Sequence, residues 1–231
     1  MNPAGISEDA WLGERLGKPA WHLAPEADPA VWRTAVSAPA FADTRLAADD
    51  TGRHAVFLQA GFEQVDTTVT FERPGDAATA LQGSSARPAA PGDLNAVRAI
   101  AGTNFTTDRF HADARIDDAI ADRIKADWAG NFFAGQRGDW MVVAENEGRV
   151  VGFLQLLDRD CHLVIDLIAV DHAARGKGLA ATMIEYAATN LMPGAPMRVG
   201  TQIANTGSVR LYETLGFRLV RTEHVLHCHH H

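Results

Sequence analysis

Six consecutive residues, Arg175-Gly176-Lys177-Gly178-Leu179-Ala180, combine two cations with two glycines. Glycines at this spacing let neighbouring backbone N–H groups turn toward one point, and Arg175 and Lys177 bring positive charge to it. A strand is predicted immediately before the segment and a helix immediately after it. The helix start adds unpaired N–H donors and the positive end of its dipole. Binding of a pyrophosphate is the chemistry this combination suits. A dinucleotide-binding loop is the chief rival, because Gly176-x-Gly178-x-x-Ala181 satisfies G-x-G-x-x-A. Too little chain follows for a doubly wound sheet, and no acidic residue closes a strand about twenty residues further on. A plain strand-to-helix turn would not need glycines and cations together.

The elements that must hold this loop can be read from apolar periodicity. Residues 91–103 carry Leu94, Val97, Ile100 and Ala101 on one helical stripe, and a second helix is expected over 116–133. Apolar runs at 140–144 and 149–157 flank Glu145-Asn146-Glu147-Gly148, which predicts a β-hairpin. A strand over 162–170 enters the glycine loop, and the helix behind it runs to about residue 190. A strand at 197–202, a helix at 206–215 that stops at Gly216, and a closing strand region at 217–228 complete this part.

A Gly/Ser/Pro/Ala-rich stretch at 74–91 reads as an interdomain linker. It divides the chain into a small N-terminal α/β domain, residues 1–80, and a main domain, residues 86–231. In the first part, 53–60 reads as a short helix ending at Gly61, and 62–71 alternates like a strand. Trp11, Trp21 and Trp32 are expected to pack its core. Gly61-Phe62-Glu63-Gln64-Val65-Asp66-Thr67 matches Gly216-Phe217-Arg218-Leu219-Val220-Arg221-Thr222 as G-F-x-x-V-x-T. A left-handed glycine cap after any helix gives part of that likeness; a partial copy of one α/β unit gives all of it.

The formal charge of −8 argues against a general nucleic-acid binder, which needs clustered Lys and Arg. No apolar run approaches the roughly 18 residues of a membrane span, and residues 1–10 lack a signal-peptide pattern, so a cytoplasmic protein is expected. Cys161 and Cys228 form neither a disulfide framework nor a metal-like spacing. His229, His230 and His231 read as a truncated purification tag or a frayed terminus rather than a metal site.

The glycine–cation loop resembles the acyl-coenzyme A loop Q/R-x-x-G-x-G/A of the GNAT superfamily, with Arg175, Gly178 and Ala180 at the marked positions. The resemblance extends to Asp166-Leu167-Ile168-Ala169-Val170-Asp171 before the loop, to the hairpin with Gly152, and to Asn205-x-x-Ser208-x-x-Leu211-Tyr212-x-x-Leu215-Gly216-Phe217. Together these cover about residues 87–229. It implies an α/β (α+β) fold with a mixed, splayed central sheet flanked by helices, and N-acetyl transfer from acetyl-coenzyme A without a metal. It further implies that Ile168, Ala169 and Val170 meet the pantetheine arm, that Arg175, Gly176, Lys177, Gly178, Leu179 and Ala180 hold the pyrophosphate, and that Asn205 bonds the cofactor or caps its helix.

The same resemblance places Tyr212 beside the thioester sulfur as general acid. Asp166, on the strand face shared by His162, Val164, Ile168 and Val170, is the best single carboxylate for a base, with a water chain as the alternative. A narrower resemblance, to dTDP-fucosamine acetyltransferase and its relatives, rests on residues 105–113, on Trp128 and Asn131, on residues 198–206, and on Leu58 to Val65. It implies a small-molecule acceptor, the amine of a nucleotide-linked amino sugar, with Arg109 and His111 meeting substrate phosphate or standing in a solvated loop. A homodimer is compatible with it. A protein or peptide N-acetyltransferase and a noncatalytic acyl-coenzyme A sensor are the alternatives.

Overall fold

The computed structural model describes residues 4–75 and 85–231. In chain order the elements are β1 (Ile6–Glu8), α1 (Ala10–Leu16), β2 (Ala20–Leu23), α2 (Pro29–Ala35), β3 (Ala40–Ala47), α3 (Thr51–Gln59) and β4 (Glu63–Arg73). They continue with β5 (Ala86–Pro88), α4 (Leu94–Asn104), α5 (Asp118–Gly130), β6 (Trp140–Asn146), β7 (Arg149–Arg159) and β8 (His162–Val170). The last are α6 (Leu179–Asn190), β9 (Met197–Gln202), α7 (Thr206–Thr214) and β10 (Arg218–His230). Short polar residues start the helices, as their chemistry requires: Asp9, Asp28, Asp50, Asp117 and Asn205 each accept a backbone N–H of the first turn. The β6–β7 hairpin turns at Glu147 and Gly148, both with positive φ, the conformation that matches strand twist.

All ten strands form one mixed sheet in the order β1-β2-β3-β10-β4-β9-β8-β7-β6-β5. β10 lies antiparallel between β3 and β4, so the final strand is paired on both edges to the first part of the chain. α6 packs with β5, β6, β7 and β8, and α4 contacts β7, β8 and α5. The apolar clusters follow that layering. Met183, Ile184 and Ala187 of α6 meet Val142, Leu154 and Tyr212, while Val97, Ile100 and Ala101 of α4 meet Val143, Phe153 and Ala169. Arg73 and Glu185 form a buried ion pair under the sheet. Among the described residues, no helix is long and apolar enough to cross a membrane.

Three readings of the sequence change here. The stretch taken as a linker contains β5, which pairs with β6 from Ala86↔Ala144 to Pro88↔Val142; the rest of it at 76–84 lies outside the described residues. The terminal histidines are not frayed, since His229 and His230 pair with Phe41 and Ala40. Of the tryptophans, Trp32 is fully buried, whereas Trp11 and Trp21 pack at the margins of two clusters. The repeated G-F-x-x-V-x-T segments do adopt the same geometry. Gly61 and Gly216 have φ of 83° and 82°, Phe62 and Phe217 donate to Phe57 and Tyr212, and the strands that follow, β4 and β10, are neighbours.

His227 and His229 project from one side of β10 onto Asp113, which lies in the loop between α4 and α5. Both imidazoles bond Asp113 Oδ2, at 2.9 and 2.8 Å, and Arg115 donates to Asp113 Oδ1 at 3.0 Å. Lys18 in turn reaches His229 Nδ1 at 3.0 Å. The three residues could offer metal donors, but their bonds are already made to one another beside two cations. Burial pushes the Asp113 carboxyl up, and the hydrogen bonds from His227, His229 and Arg115 overcome it, holding Asp113 far below the carboxylate range.

Replacing Asp113 by Ala leaves buried donors unpaired, so it should cost about 3–5 kcal/mol and lower the melting temperature by roughly 10 °C. A folded-state pKa below the unfolded value of about 3.9 contributes stability above that pH and loses it as pH falls. The gap between wild type and Asp113→Ala, measured by urea unfolding, should therefore narrow below about pH 4. A gap under about 1 kcal/mol at pH 7 would contradict the role given to this knot.

Candidate active site

β8 and β9 run parallel but pair only from Leu163↔Met197 to Ile165↔Val199. Beyond Ile165 the strands part. On its other side β8 stays paired with β7 through Val170, apart from a bulge at Asp166, so residues 167–170 keep one bonded edge and present the other without a strand partner. A cavity of about 520 Å³ opens in this gap. Asp166, Ile168, Ala169 and Val170 from β8, Arg175, Gly176 and Ala180 from the glycine loop and α6, and Asn205 and Tyr212 from α7 all line it. Lys177 and Gly178 are exposed beside it, and Leu179 turns into the core.

The loop is built as its residue types suggest. Gly176 and Gly178 have φ of 78° and 74°, where a side chain would be strained, and Gly178 is the N-cap of α6. Arg175 bridges β8 and α4, donating to the Val170 carbonyl at 3.2 Å and to Asn104 Oδ1 at 2.9 Å. Asn205 caps α7 by accepting from Ser208 N at 3.2 Å.

Tyr212 is 2% exposed, and its ring sits between those of Phe71 and Phe217, at 6.0 and 5.6 Å. Its hydroxyl has no hydrogen-bond partner among the described residues. Burial pushes its pKa further up, so the group stays protonated through the neutral range.

Asp166 is tightly held. Its carboxylate accepts from Trp128 Nε1 at 3.0 Å, Arg137 Nε at 2.8 Å, Arg137 Nη2 at 2.6 Å and Gln155 Nε2 at 2.9 Å. Three of these bonds converge on Oδ2, while Oδ1 accepts only from Arg137 Nη2. Lys125 also lines the cavity, boxed by Phe105, Trp128 and Phe110 at 5.1, 5.2 and 5.6 Å and lying 3.4 Å from Asp108. Burial pushes its ammonium pKa down. Spacing on α5 gives the one sequence signal for this wall, since Lys125 and Trp128 fall three apart on one helix face. Arg137 and Gln155 carried none.

The other two site candidates lie elsewhere. Arg109 is not in this cavity; it donates to Asp43 at 2.5 Å, and His22 reaches the other oxygen of Asp43 at 2.7 Å. Burial pushes Asp43 up, yet Arg109 and His22 hold it well below the carboxylate range. Arg109 lines a second cavity of about 420 Å³, together with Trp11, Trp128, Asn131 and Arg137. His111 lines neither cavity: its ring is clamped between Asp108 at 2.5 Å and Asp122 at 3.2 Å.

The family model described as Acetyltransferase (GNAT) family matches residues 99–217, just over half of the chain. The spore coat polysaccharide biosynthesis protein SpsD of Bacillus subtilis (strain 168) is 33% identical over 144 residues, covering 61% of this chain and 49% of that protein. The match thus spans about half the relative's length. A GCN5-related N-acetyltransferase from Kribbella flavida superposes with a TM-score of 0.67 at 17% identity, over 99% of this chain and 88% of that one. One from Sphaerobacter thermophilus gives 0.61 at 14%, over 96% and 76%. At these identities the two structures speak for the fold alone.

The clamp on His111 has a pH signature. Its bond to Asp108 raises its pKa above the ordinary 6.5, against burial, with Asp122 adding to the rise. A raised folded-state pKa contributes stability that is complete below the unfolded pKa and is lost as pH rises through the folded one. The stability gap between wild type and His111→Gln should therefore be largest near pH 6 and shrink by pH 9 in urea unfolding. A gap independent of pH would contradict a protonated His111.

Proposed function

The chain belongs to the GNAT acetyltransferase family, and on that footing we propose that it acetylates the primary amine of a nucleotide-linked amino sugar. Residues 1–80 are taken as a small α/β unit and 86–231 as the catalytic unit. The observation that carries the reading is the parting of β8 from β9, which sets an unpaired strand edge, a glycine–cation loop and a buried tyrosine around one cavity. GNAT enzymes use acetyl-coenzyme A as co-substrate. Here its pyrophosphate would rest on residues 175–180, its pantetheine amides would complete the free edge at 166–170, and Asn205 would stand at the far rim.

In that pose a backbone N–H near 168–170 polarises the thioester carbonyl, and the neutral amine attacks its carbon. The carbon–nitrogen bond forms, the carbon–sulfur bond breaks, and Tyr212 gives its proton to the departing sulfur. Burial disfavours tyrosinate, but it disfavours a thiolate in the same cavity too, so the transfer is not opposed by environment. Asp166, bonded through both oxygens, orders Trp128 and Arg137, and the amine's proton leaves through water. His111, bonded at both nitrogens, positions Asp108 rather than meeting substrate. The buried Phe110 and Asp113 fix the segment at 105–113 beside the cavity, which narrows the approach an extended peptide would need. SpsD is named for polysaccharide biosynthesis, which agrees with a sugar acceptor.

Thiol release from acetyl-coenzyme A, followed across nucleotide amino sugars and peptide amines, tests the substrate class; turnover of peptides alone would overturn it. Tyr212→Phe keeps the ring but removes the proton. It should lower kcat by about 10²-fold, the scale of general acid catalysis, with acetyl-coenzyme A affinity nearly level. Wild-type kcat in that variant, measured where chemistry limits the rate, would remove Tyr212 from the reaction.

A further inference from the structure

The second cavity is walled in part by Trp128 and Arg137, and both side chains reach from it to Asp166. Trp128 lines the second cavity and donates through Nε1 to Asp166, which lines the cavity at the β8–β9 gap. Arg137 lines the second cavity while both its Nε and Nη2 hold Asp166, which lines the first. A ligand group seated in the second cavity therefore lies next to the acyl-transfer site.

The walls are chemically mixed in a specific way. Trp11 and Trp128 meet edge to face at 6.1 Å, and Phe110 lies beside them under the Arg109 guanidinium, 4.5 Å from the ring centre. Arg137 stacks on Trp128 at 4.7 Å. Arg109 uses only Nη1 on Asp43, and Arg137 leaves Nη1 unused, so both guanidinium groups keep free donors among the described residues. Asp9 spends Oδ1 on the Leu12 N–H and keeps Oδ2 as a free acceptor. Asn131, in the amide orientation that satisfies its neighbours, ties the Trp11 indole to Gln136.

Planar guanidinium groups with spare donors suit phosphate oxygens. Aromatic walls suit a flat ring, and a free carboxylate oxygen suits a ring N–H of the kind a pyrimidine base presents. About 420 Å³ falls in the range of small-molecule sites. We propose that this cavity holds the nucleoside diphosphate end of the acceptor, its phosphates on Arg109 and Arg137 and its base among Trp11, Phe110 and Asp9. The proposal rests on the amino-sugar reading above and adds where the nucleotide sits and what reads it.

The test uses the whole protein saturated with coenzyme A, so that the coenzyme's own nucleotide site is closed. Uridine diphosphate and thymidine diphosphate should bind in calorimetry, at least tenfold tighter than inorganic pyrophosphate, and should quench tryptophan fluorescence through Trp11 and Trp128. Gln136 is exposed at the cavity wall, so Gln136→Trp narrows the cavity without emptying a core; circular dichroism and the melting temperature confirm its fold. It should weaken diphosphate binding at least tenfold. Arg109→Gln should do the same, but it also unpairs the buried Asp43, which makes Gln136→Trp the decisive variant.

Equal diphosphate affinity in wild type and Gln136→Trp would overturn the assignment, and so would diphosphate binding that vanishes once coenzyme A is present. Acetyl transfer to a nucleotide-free amine with no diphosphate binding would sink this site while leaving the acetyltransferase chemistry intact. Failure to bind acetyl-coenzyme A at all would sink the reading beneath it.

Discussion

The parting of β8 from β9 is the constraint on which the site depends. Two parallel strands that stayed paired would bury the backbone at 166–170 in a ladder and leave no gap. Their pairing ends at Ile165↔Val199, and the N–H and C=O groups released there need partners, as buried backbone groups do. A strand-like arm carrying amides meets that need. The loop at 175–180 and the start of α6 follow the end of β8 directly, so anion-binding geometry and free strand edge come from one continuous stretch of chain. α7 follows β9 and brings Tyr212 to the other side of the same gap.

A second constraint holds the first in place. β10 pairs with β3 along one edge and with β4 along the other, and β4 pairs with β9. The strand at the open side of the gap is thus braced by the N-terminal strands. The same arrangement carries Leu12, Ala20 and Phe41 against Phe110, Ile116 and Ile124. Polar ties accompany this apolar seam, with Asp113 gathering His227 and His229 and Asp43 gathering His22 and Arg109. Each tie joins residues far apart in sequence, and each places a charged group that burial alone would exclude.

What could be read from the sequence was local. The hairpin, the strand–loop–helix at 162–190 and the helix carrying Tyr212 each declare themselves by periodicity, glycine and capping chemistry within a short window. β1, α1, β2 and α2 did not, because each is at most seven residues long and too short for a period to emerge. β3 keeps Asp43 and Thr44 buried among its apolar residues, which breaks the alternation a strand would show. The histidines of β10 misled for a related reason: their burial depends on Asp113, and nothing near them in sequence announces it. Asp166 was legible as a carboxylate on the right strand, while the donors that hold it come from α5, the segment after it and β7. Its role could be seen only once those were assembled.

In the proposed function acetyl-coenzyme A completes the free edge of β8. Amide hydrogen exchange with and without saturating acetyl-coenzyme A tests it directly, because exchange reports on individual backbone N–H groups. Strong added protection in the peptides spanning 166–170 and 176–182, with little change in β3 or β10, is the predicted result. Binding that leaves 166–170 exchanging at its free rate, or that protects only the N-terminal strands, would contradict that placement of the cofactor.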